Sequence, residues 1–593
     1  MNNNPTLTVV QRLVLPTSSG LGLPENLYHA VRHRAVFRTE DSTLEVLAGG
    51  RINLFSYFNA FELGHWRRVI DPSSIGLSIG FSGEVTLTVE LHRSDSGKSV
   101  VFERRFESGS VEECDLEGIF ANLGAVKANE IASVVLSSER GCVVLFCDWF
   151  TTQQAMAGKK VGIVITHFNR QQWVLPAIER FKRELLADPN FSGCCELVVV
   201  DNSQNLDLAN SPGLLRVPSP NYGCSGGFAK GLSYLAESGK FTHAVFMDDD
   251  ATCEIESIKR IINFYQFSDS ERLAISGALF CEPNFDRIYE AGASWGSGWQ
   301  PRHHNEEAHG RNLHEIGAGT TGATYGGWWC FGFPISKNLK WPFPFFVRGD
   351  DVSFSLSNGF EIVCPLGVAC WAESFQLKDG PWLKYLDGRM HTMPVLVFKT
   401  ATFVSWIKSL TITVIGCLQC YRYAAAEMFL AGIRDSLKPK DFWETNADAV
   451  AIRKRYFESI QAEQYQSPDA ASTLVARDIK NEPWVRKLIR RITLGGHLLP
   501  KIALKKNRVL VNKRFCNYNK LIFPYYKVRL LNNVDAKAWD TERSVFRAAK
   551  VLCRLFFLYP LLISAYYFNA KHFKAVFDEL TSKQSWDERF DRG

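Results

Sequence analysis

Over the first 155 residues, apolar and polar positions alternate in short runs. GLSIGFSG (76–83), EVTLTVELHRS (84–94), SVVFERRFES (99–108), IASVVLSSE (131–139) and CVVLFCDWF (142–150) are rich in β-branched and aromatic residues. Gly, Ser and Asn separate them at strand-and-turn spacing. The pattern predicts an N-terminal antiparallel β-sandwich over residues 1–155. Within it, Phe55 to Phe61 (FSYFNAF) concentrates aromatics that suit either a carbohydrate-binding face or packing against the next domain.

The period changes after Lys160. VGIVIT (161–166), LVVVD (197–201), LLRV (214–217) and HAVFM (243–247) are unbroken apolar runs, and helical stretches cover Trp173 to Leu186, Gly227 to Ser238 and Glu254 to Phe264. Fully apolar strands among helices predict a parallel sheet covered on both faces. In such sheets ligands bind beyond the carboxyl ends of the strands. The polar motifs fall there: THFNR (166–170), DNS (201–203), NYGCSGGFAKG (221–231) and DDD (248–250). From about residue 400 the chain reads as mainly helical, amphipathic and basic. The whole is predicted as a multidomain α/β protein: a β-sandwich over 1–155, a Rossmann-like mixed α/β domain over 156–400 and a helical region over 401–593.

A chain of 593 residues exceeds a single core, and its 46% hydrophobic content can fill several. The net charge of +6 is modest, and without a recognition motif it gives no ground for a nucleic-acid partner. Its distribution matters more: Pro483 to Val534 holds no Asp or Glu and thirteen Lys and Arg, from Arg486 to Arg529. That basicity suits an anionic membrane leaflet or contacts in a homo-oligomer. Fifteen cysteines without a repeating framework fit reduced thiols in the cytosol, and the lone CxxC of Cys417 and Cys420 reads as buried thiols. MNNNPTLTVV lacks a basic stretch before an apolar core, so no signal peptide is expected. No uncharged apolar segment reaches ~20 residues. The nearest, Val551 to Phe568, is broken by Arg554 and Pro560 and reads as a buried helix or one lying at a membrane interface.

Three adjacent carboxylates at a strand end either solvate a loop or hold a cation. Side chains alternate along a strand, so Asp248 and Asp250 share a side and Asp249 points away. Two hard oxygen donors on one side suit Mg²⁺ or Mn²⁺ carried by a phosphate. The glycines of NYGCSGGFAKG precede a helix, where backbone N–H groups can face an anion or simply satisfy a turn. Asp201 and Arg170 end neighbouring strands within reach of one ligand, as a nucleotide diphosphate requires. Arg348-Gly-Asp-Asp-Val352 supplies a second acidic pair, able to act as general base or to cap a helix. Between them, Gly326-Gly-Trp-Trp-Cys330 carries paired indoles that suit sugar rings or a core.

THFNR, VVVDN, NYGCSGGFAKG, FMDDD, GGWWC and RGDD, in this order, together with YFNAF and HWRR (65–68), resemble inverting GT-A glycosyltransferases. More specifically, they resemble the polymerising galactofuranosyltransferases of bacterial arabinogalactan. The resemblance runs to about residue 400. It implies that Asp248 and Asp250 hold the divalent metal (Mn²⁺ or Mg²⁺) and that Asp351 is the general base. Arg170, Asp201 and Asn221, with Asp249 beside them, then contact UDP-galactofuranose, and Trp328, Trp329 and Asp350 bind the acceptor. Two departures stand out. Where that family has a histidine metal ligand after a tryptophan, this chain reads Ala369-Cys-Trp-Ala-Glu-Ser374, so Glu373, water or the diphosphate must substitute for Ala372. Gly349 replaces a tryptophan before the acids, and Asp387 stands where a histidine is expected, which bears on acceptor and linkage.

The reading is therefore a metal-dependent inverting transferase moving galactofuranose to a hydroxyl of a growing cell-surface glycan. It would act in the cytoplasm, peripheral at the inner face of the cell membrane, where lipid-linked acceptors lie. The alternatives are the same fold using UDP-galactopyranose or dTDP-rhamnose, and a non-catalytic carbohydrate-binding scaffold.

Overall fold

The computed structural model describes residues 7–16, 22–94, 97–124, 126–318, 322–466, 474–475, 482–532 and 534–592. The N-terminal runs form seven antiparallel strands. Two of them merge into one long strand, Ile75–Arg93, which pairs with Gly97–Leu116 on one edge. On the other edge it pairs first with Cys142–Thr151 and then with Ile131–Ser138. Thr43–Asn53 bridges those two partners, so the strands are linked by one continuous set of pairings. The change of partner falls at Gly83, whose φ of +95° an L side chain rarely adopts. The aromatics at 55–61 are buried. The Tyr57 hydroxyl donates to the Val368 carbonyl (3.2 Å) and Phe58 lies 5.8 Å from Trp371, so this segment packs against the central domain.

The central sheet has seven strands: β1 (Val161–His167), β2 (Cys195–Asp201), β3 (Leu214–Pro218), β4 (His243–Asp248), β5 (Leu273–Ser276), β6 (Phe331–Pro334) and β7 (Glu361–Val363). Their order is β3–β2–β1–β4–β6–β5–β7. The first four are parallel, and β6 runs antiparallel between β4 and β5. Every residue of β1 is buried, as a strand covered on both faces requires. Helices α1 (Gln171–Phe181), α2 (Gly223–Ser238) and α3 (Ile255–Gln266) alternate with these strands, and α4 (Asp350–Asn358) starts at the second acidic motif. Glycines bring α2 close: a Cβ at Gly227 would lie 2.7 Å from Thr166, and one at Gly231 would lie 2.3 Å from Val164. Their four-residue spacing puts both on the helix face that meets β1.

Beyond α5 (Pro381–Met390), α6 (Phe403–Gln419) and α7 (Tyr423–Ser436) the chain departs from the expected helical region. Around α8 (Trp484–Ile492), a four-stranded sheet forms from Leu474–Val475 before the helix and Lys505–Asn512, Tyr525–Leu531 and Ala538–Glu542 after it. Its reason is a period of two: Val509, Val511, Val528 and Leu530 are buried, alternating with Arg508, Leu510, Lys527 and Arg529, of which Arg529 is buried against Asp540 (2.7 Å). The long helix α9 (Val545–Tyr567) follows. It is long and apolar enough to cross a membrane by length and composition, yet its Ala548, Val551, Leu555, Leu558 and Leu562 face is buried and the helix packs on α6 and α7. Phe546, Phe556, Phe557 and Phe568 remain exposed. Cys417 and Cys420 are buried free thiols.

Candidate active site

A cavity of ≈ 270 Å³ opens beyond the end of β4. Asp248, the last residue of β4, lines it together with Asp350 and Asp351 from the first turn of α4. Trp295, Trp299, Tyr325 and Trp328 supply an aromatic wall. The two acidic motifs therefore converge on one chamber. Trp328 and Trp329 line it and are also almost wholly buried, Trp329 Nε1 donating to the Gly277 carbonyl (2.9 Å).

The acidic triplet does not divide as strand alternation predicts, because β4 ends at Asp248 and the next two residues lie in a turn: Asp248 lines the cavity, whereas Asp249 and Asp250 both meet Arg170 Nη1. Asp249 turns back over the end of β1, where it accepts from the Phe168 amide (3.3 Å) and Arg170 Nη1 (2.9 Å) and lies 3.4 Å from His167 Nδ1. Asp250 is held by Arg170 Nη1 at 3.0 Å and by a short contact from Lys378 Nζ. Burial alone would raise the Asp250 pKa, but Lys378 and Arg170 outweigh it and hold the carboxyl low. Asp248 has no such partner among the described residues, and burial together with its two acidic neighbours pushes its pKa up.

The donor-side residues gather at the same sheet end but are already engaged. Asp201 is fully buried and accepts from Ser203 Oγ (2.9 Å) and the Leu206 amide (2.9 Å), so in this arrangement it shapes its loop. Asn221 Oδ1 accepts from the Gly223 amide (3.0 Å) at the start of α2. There Gly223 takes a φ of +68°, the Ser225 amide donates to the Phe346 carbonyl (3.2 Å), and Ser225 Oγ donates to Asp350 Oδ2 (2.9 Å). The glycine-rich motif thus fastens α2 to the loop that carries the second acidic pair.

In that pair, Gly349 rather than an acid occupies the helix cap, with a φ of +88°. Burial raises both carboxyls. The neighbouring Asp351 charge adds to the rise at Asp350, whereas the Val352 amide (2.8 Å) and Arg348 restrain Asp351. Asp351 is consequently the more readily ionised of the two. Sequence reasoning missed Glu290, which lines the same cavity and accepts from Trp299 Nε1 and Tyr325 OH (3.3 Å). Burial, with Asp351 nearby, pushes it up to about 8, so it sits in the chamber as a neutral acid at pH 7. Asp387, flagged for replacing a histidine, also lines the cavity and pairs with Lys384 (2.8 Å) and Arg348 (3.7 Å).

These residues do not assemble a ready divalent-metal site. Asp249 is engaged by Arg170 and the Phe168 amide, Asp250 is occupied by two cations, Ala372 has no side-chain donor atom and Glu373 is exposed. Among the described residues no three His, Cys, Asp or Glu side chains gather as ligands. A hard dication needs several oxygen donors, and the chain offers Asp248 unpaired.

No family model matches the chain. It is 22% identical over 506 residues to galactofuranosyltransferase GlfT2 of Mycobacterium tuberculosis, covering 76% of this chain and 77% of that protein. It is 23% identical over 481 residues to the protein of the same name from Mycolicibacterium smegmatis, covering 72% and 71%. Among solved structures, GalNAc-T7 with UDP, GalNAc and Mn²⁺ aligns with 38% of this chain and 45% of its own, at 11% identity and a TM-score of 0.26. The chain is galactofuranosyltransferase-like, and the likeness read from its motifs extends over roughly three quarters of its length.

Proposed function

We propose that this galactofuranosyltransferase-like chain moves galactofuranose from UDP-galactofuranose to a hydroxyl of a growing glycan, with inversion at the anomeric carbon. The observation that carries the reading is the convergence of Asp248 and the Asp350–Asp351 pair on one aromatic-walled cavity at the sheet's carboxyl end. Asp351 takes the proton of the acceptor hydroxyl. The oxygen then attacks the anomeric carbon, and the bond to UDP breaks with its electron pair passing to the diphosphate. Asp350 and Glu290, both pushed toward the neutral form, donate hydrogen bonds to acceptor hydroxyls. Trp328 and Trp329 offer indole edges and faces to the sugar. Arg170, Asp201, Asn221 and Asp249 form the donor end, directly or by holding its loops.

The acceptor is a glycan, with a lipid anchor accounting for the apolar exposure of α9 and the basic run after Pro483. The enzyme would then work at the inner face of the cell membrane. Purified protein incubated with short galactofuranosides and, in parallel, UDP-galactofuranose, UDP-galactopyranose and dTDP-rhamnose tests the donor. UDP release and a β-configured furanosyl product with the first donor alone is the expected result. Turnover of another donor instead reassigns the sugar, and no turnover of any favours the scaffold reading.

A further inference from the structure

The acidic triplet carries a cation of its own. Lys378 reaches Asp250 from the segment Phe375–Lys378, which follows directly on the Ala372 position where the resemblance expects a histidine ligand. Arg170 Nη1 holds the same Asp250 oxygen at 3.0 Å. The Lys378 ammonium lies 5.9 Å from the centre of the Phe375 ring, which lines the cavity, and its side chain is 26% exposed. An ammonium has three N–H donors and Asp250 uses one, so the remaining two can meet an anion at the cavity mouth.

Its position is set from outside the central domain. The next residue, Asp379, is buried among Arg422 Nη1 (2.5 Å), Asn517 Nδ2 (3.2 Å) and Lys384 Nζ (3.4 Å), and Arg422 Nε also binds Glu463 at 3.1 Å. The C-terminal region thereby fixes the backbone that presents Lys378. A divalent ion seated on Asp250 would have to displace both Lys378 and Arg170, and no cluster of three ligand side chains among the described residues offsets the loss.

We propose that Lys378, steadied by Asp250 and supported by Arg170, supplies the positive charge that meets the donor's diphosphate, so that nucleotide binding does not depend on a divalent metal. This rests on the donor reading above. A charge-assisted bond from a fixed cation to a leaving phosphate stabilises developing negative charge without rearrangement at the moment of reaction.

The test is UDP binding by the full chain, measured calorimetrically after chelation and again with Mn²⁺ or Mg²⁺. Wild type should bind UDP after chelation, its affinity changing by less than about threefold when metal is added. Lys378→Met should lose about tenfold or more in the chelated state, while Lys378→Arg, which keeps the charge, should retain most of the affinity. Freed of the ammonium, Asp250 in Lys378→Met should join Asp248 in binding Mn²⁺, read as quenching of the free-ion electron paramagnetic resonance signal that wild type leaves intact. UDP binding by wild type only with metal, or equal binding by Lys378→Met and wild type, overturns the role of Lys378 and leaves the transferase reading standing. Absence of UDP binding by wild type under both conditions overturns the nucleotide-donor reading and this inference with it.

Discussion

A buried carboxylate works as a base only if it is ionised at the working pH. Asp351 meets that condition because the Val352 amide and Arg348 offset part of the burial that raises it. Asp351→Asn keeps the shape and removes the base, so kcat should fall by about 10²–10⁴ while UDP affinity stays unchanged. Single-turnover kinetics alongside calorimetry separate the two. The pH profile has a definite sign. The group must be deprotonated, and its pKa lies above the ordinary carboxylate value of ~4, so kcat/KM should fall with decreasing pH along a limb displaced upward from that value. An unchanged acid limb in Asp351→Asn would assign it to another group. Both acidic motifs stood out in the sequence as clustered acids near apolar or aromatic segments, and the fold brings Asp248, Asp350 and Asp351 to one cavity. Glu290 did not. It ends the strand NFDRIYE with no acid at the adjacent positions, and only the tertiary fold brings Trp299 and Tyr325 to it. Asp201 was legible as a strand-end acid, but its burial under Ser203 and Leu206 depends on a loop whose course no local pattern fixes.

Strands β1 to β4 and helices α1 to α3 followed from period, since unbroken apolar runs among helices admit few arrangements; β5, β6 and β7, three or four residues long, did not, and β6 runs antiparallel where a wholly parallel sheet was expected. The C-terminal sheet did not follow. Its strands are short and basic, and a period of two over RVLVN competes with a helical reading until burial decides it. The glycine motif was legible as a special backbone but not as to its purpose, which is close approach. A Cβ at Gly223 would lie 2.0 Å from the Phe346 carbonyl oxygen, and its φ is +68°. Gly223→Ala should therefore destabilise the protein by about 2–4 kcal/mol, the left-handed backbone and the displaced loop both contributing. Activity should fall with it, because Ser225 two residues on bonds Asp350. Gly239→Ala, at the other end of α2, provides the comparison. Its φ is +64° with nothing within 4 Å of the added carbon, so it should cost only about 1–2 kcal/mol and leave activity intact. Equal losses of stability and activity in the two variants would mean that the contact with Phe346 does not set the position of the acidic pair.

At the scale of the whole molecule, positive charge and apolar exposure accumulate in the C-terminal region. The basic run from Arg486 to Arg529 suits a membrane or a subunit surface, and the sequence does not choose between them, because it does not say which face of a helix is left bare. In the fold, α8 exposes Trp484, Leu488 and Ile492, and α9 exposes Phe546, Phe556 and Phe557 opposite its buried stripe. Large apolar side chains bare to water beside many cations match an anionic bilayer interface, where aromatic insertion and about 1 kcal/mol per basic residue act together. The protein should float with vesicles containing phosphatidylglycerol and bind less as salt rises, since the charge component is screened within a Debye length. Replacing Phe556 and Phe557 with Ser removes exposed area without opening the core, so the melting temperature should hold while flotation drops. Sedimentation of both forms covers the competing use of the same face. If wild type is an oligomer that this double substitution dissociates, and flotation is unaffected, the bare face of α9 is a subunit contact. If neither property changes, its exposure serves neither role, and the acceptor must be brought to the cavity by something other than this surface.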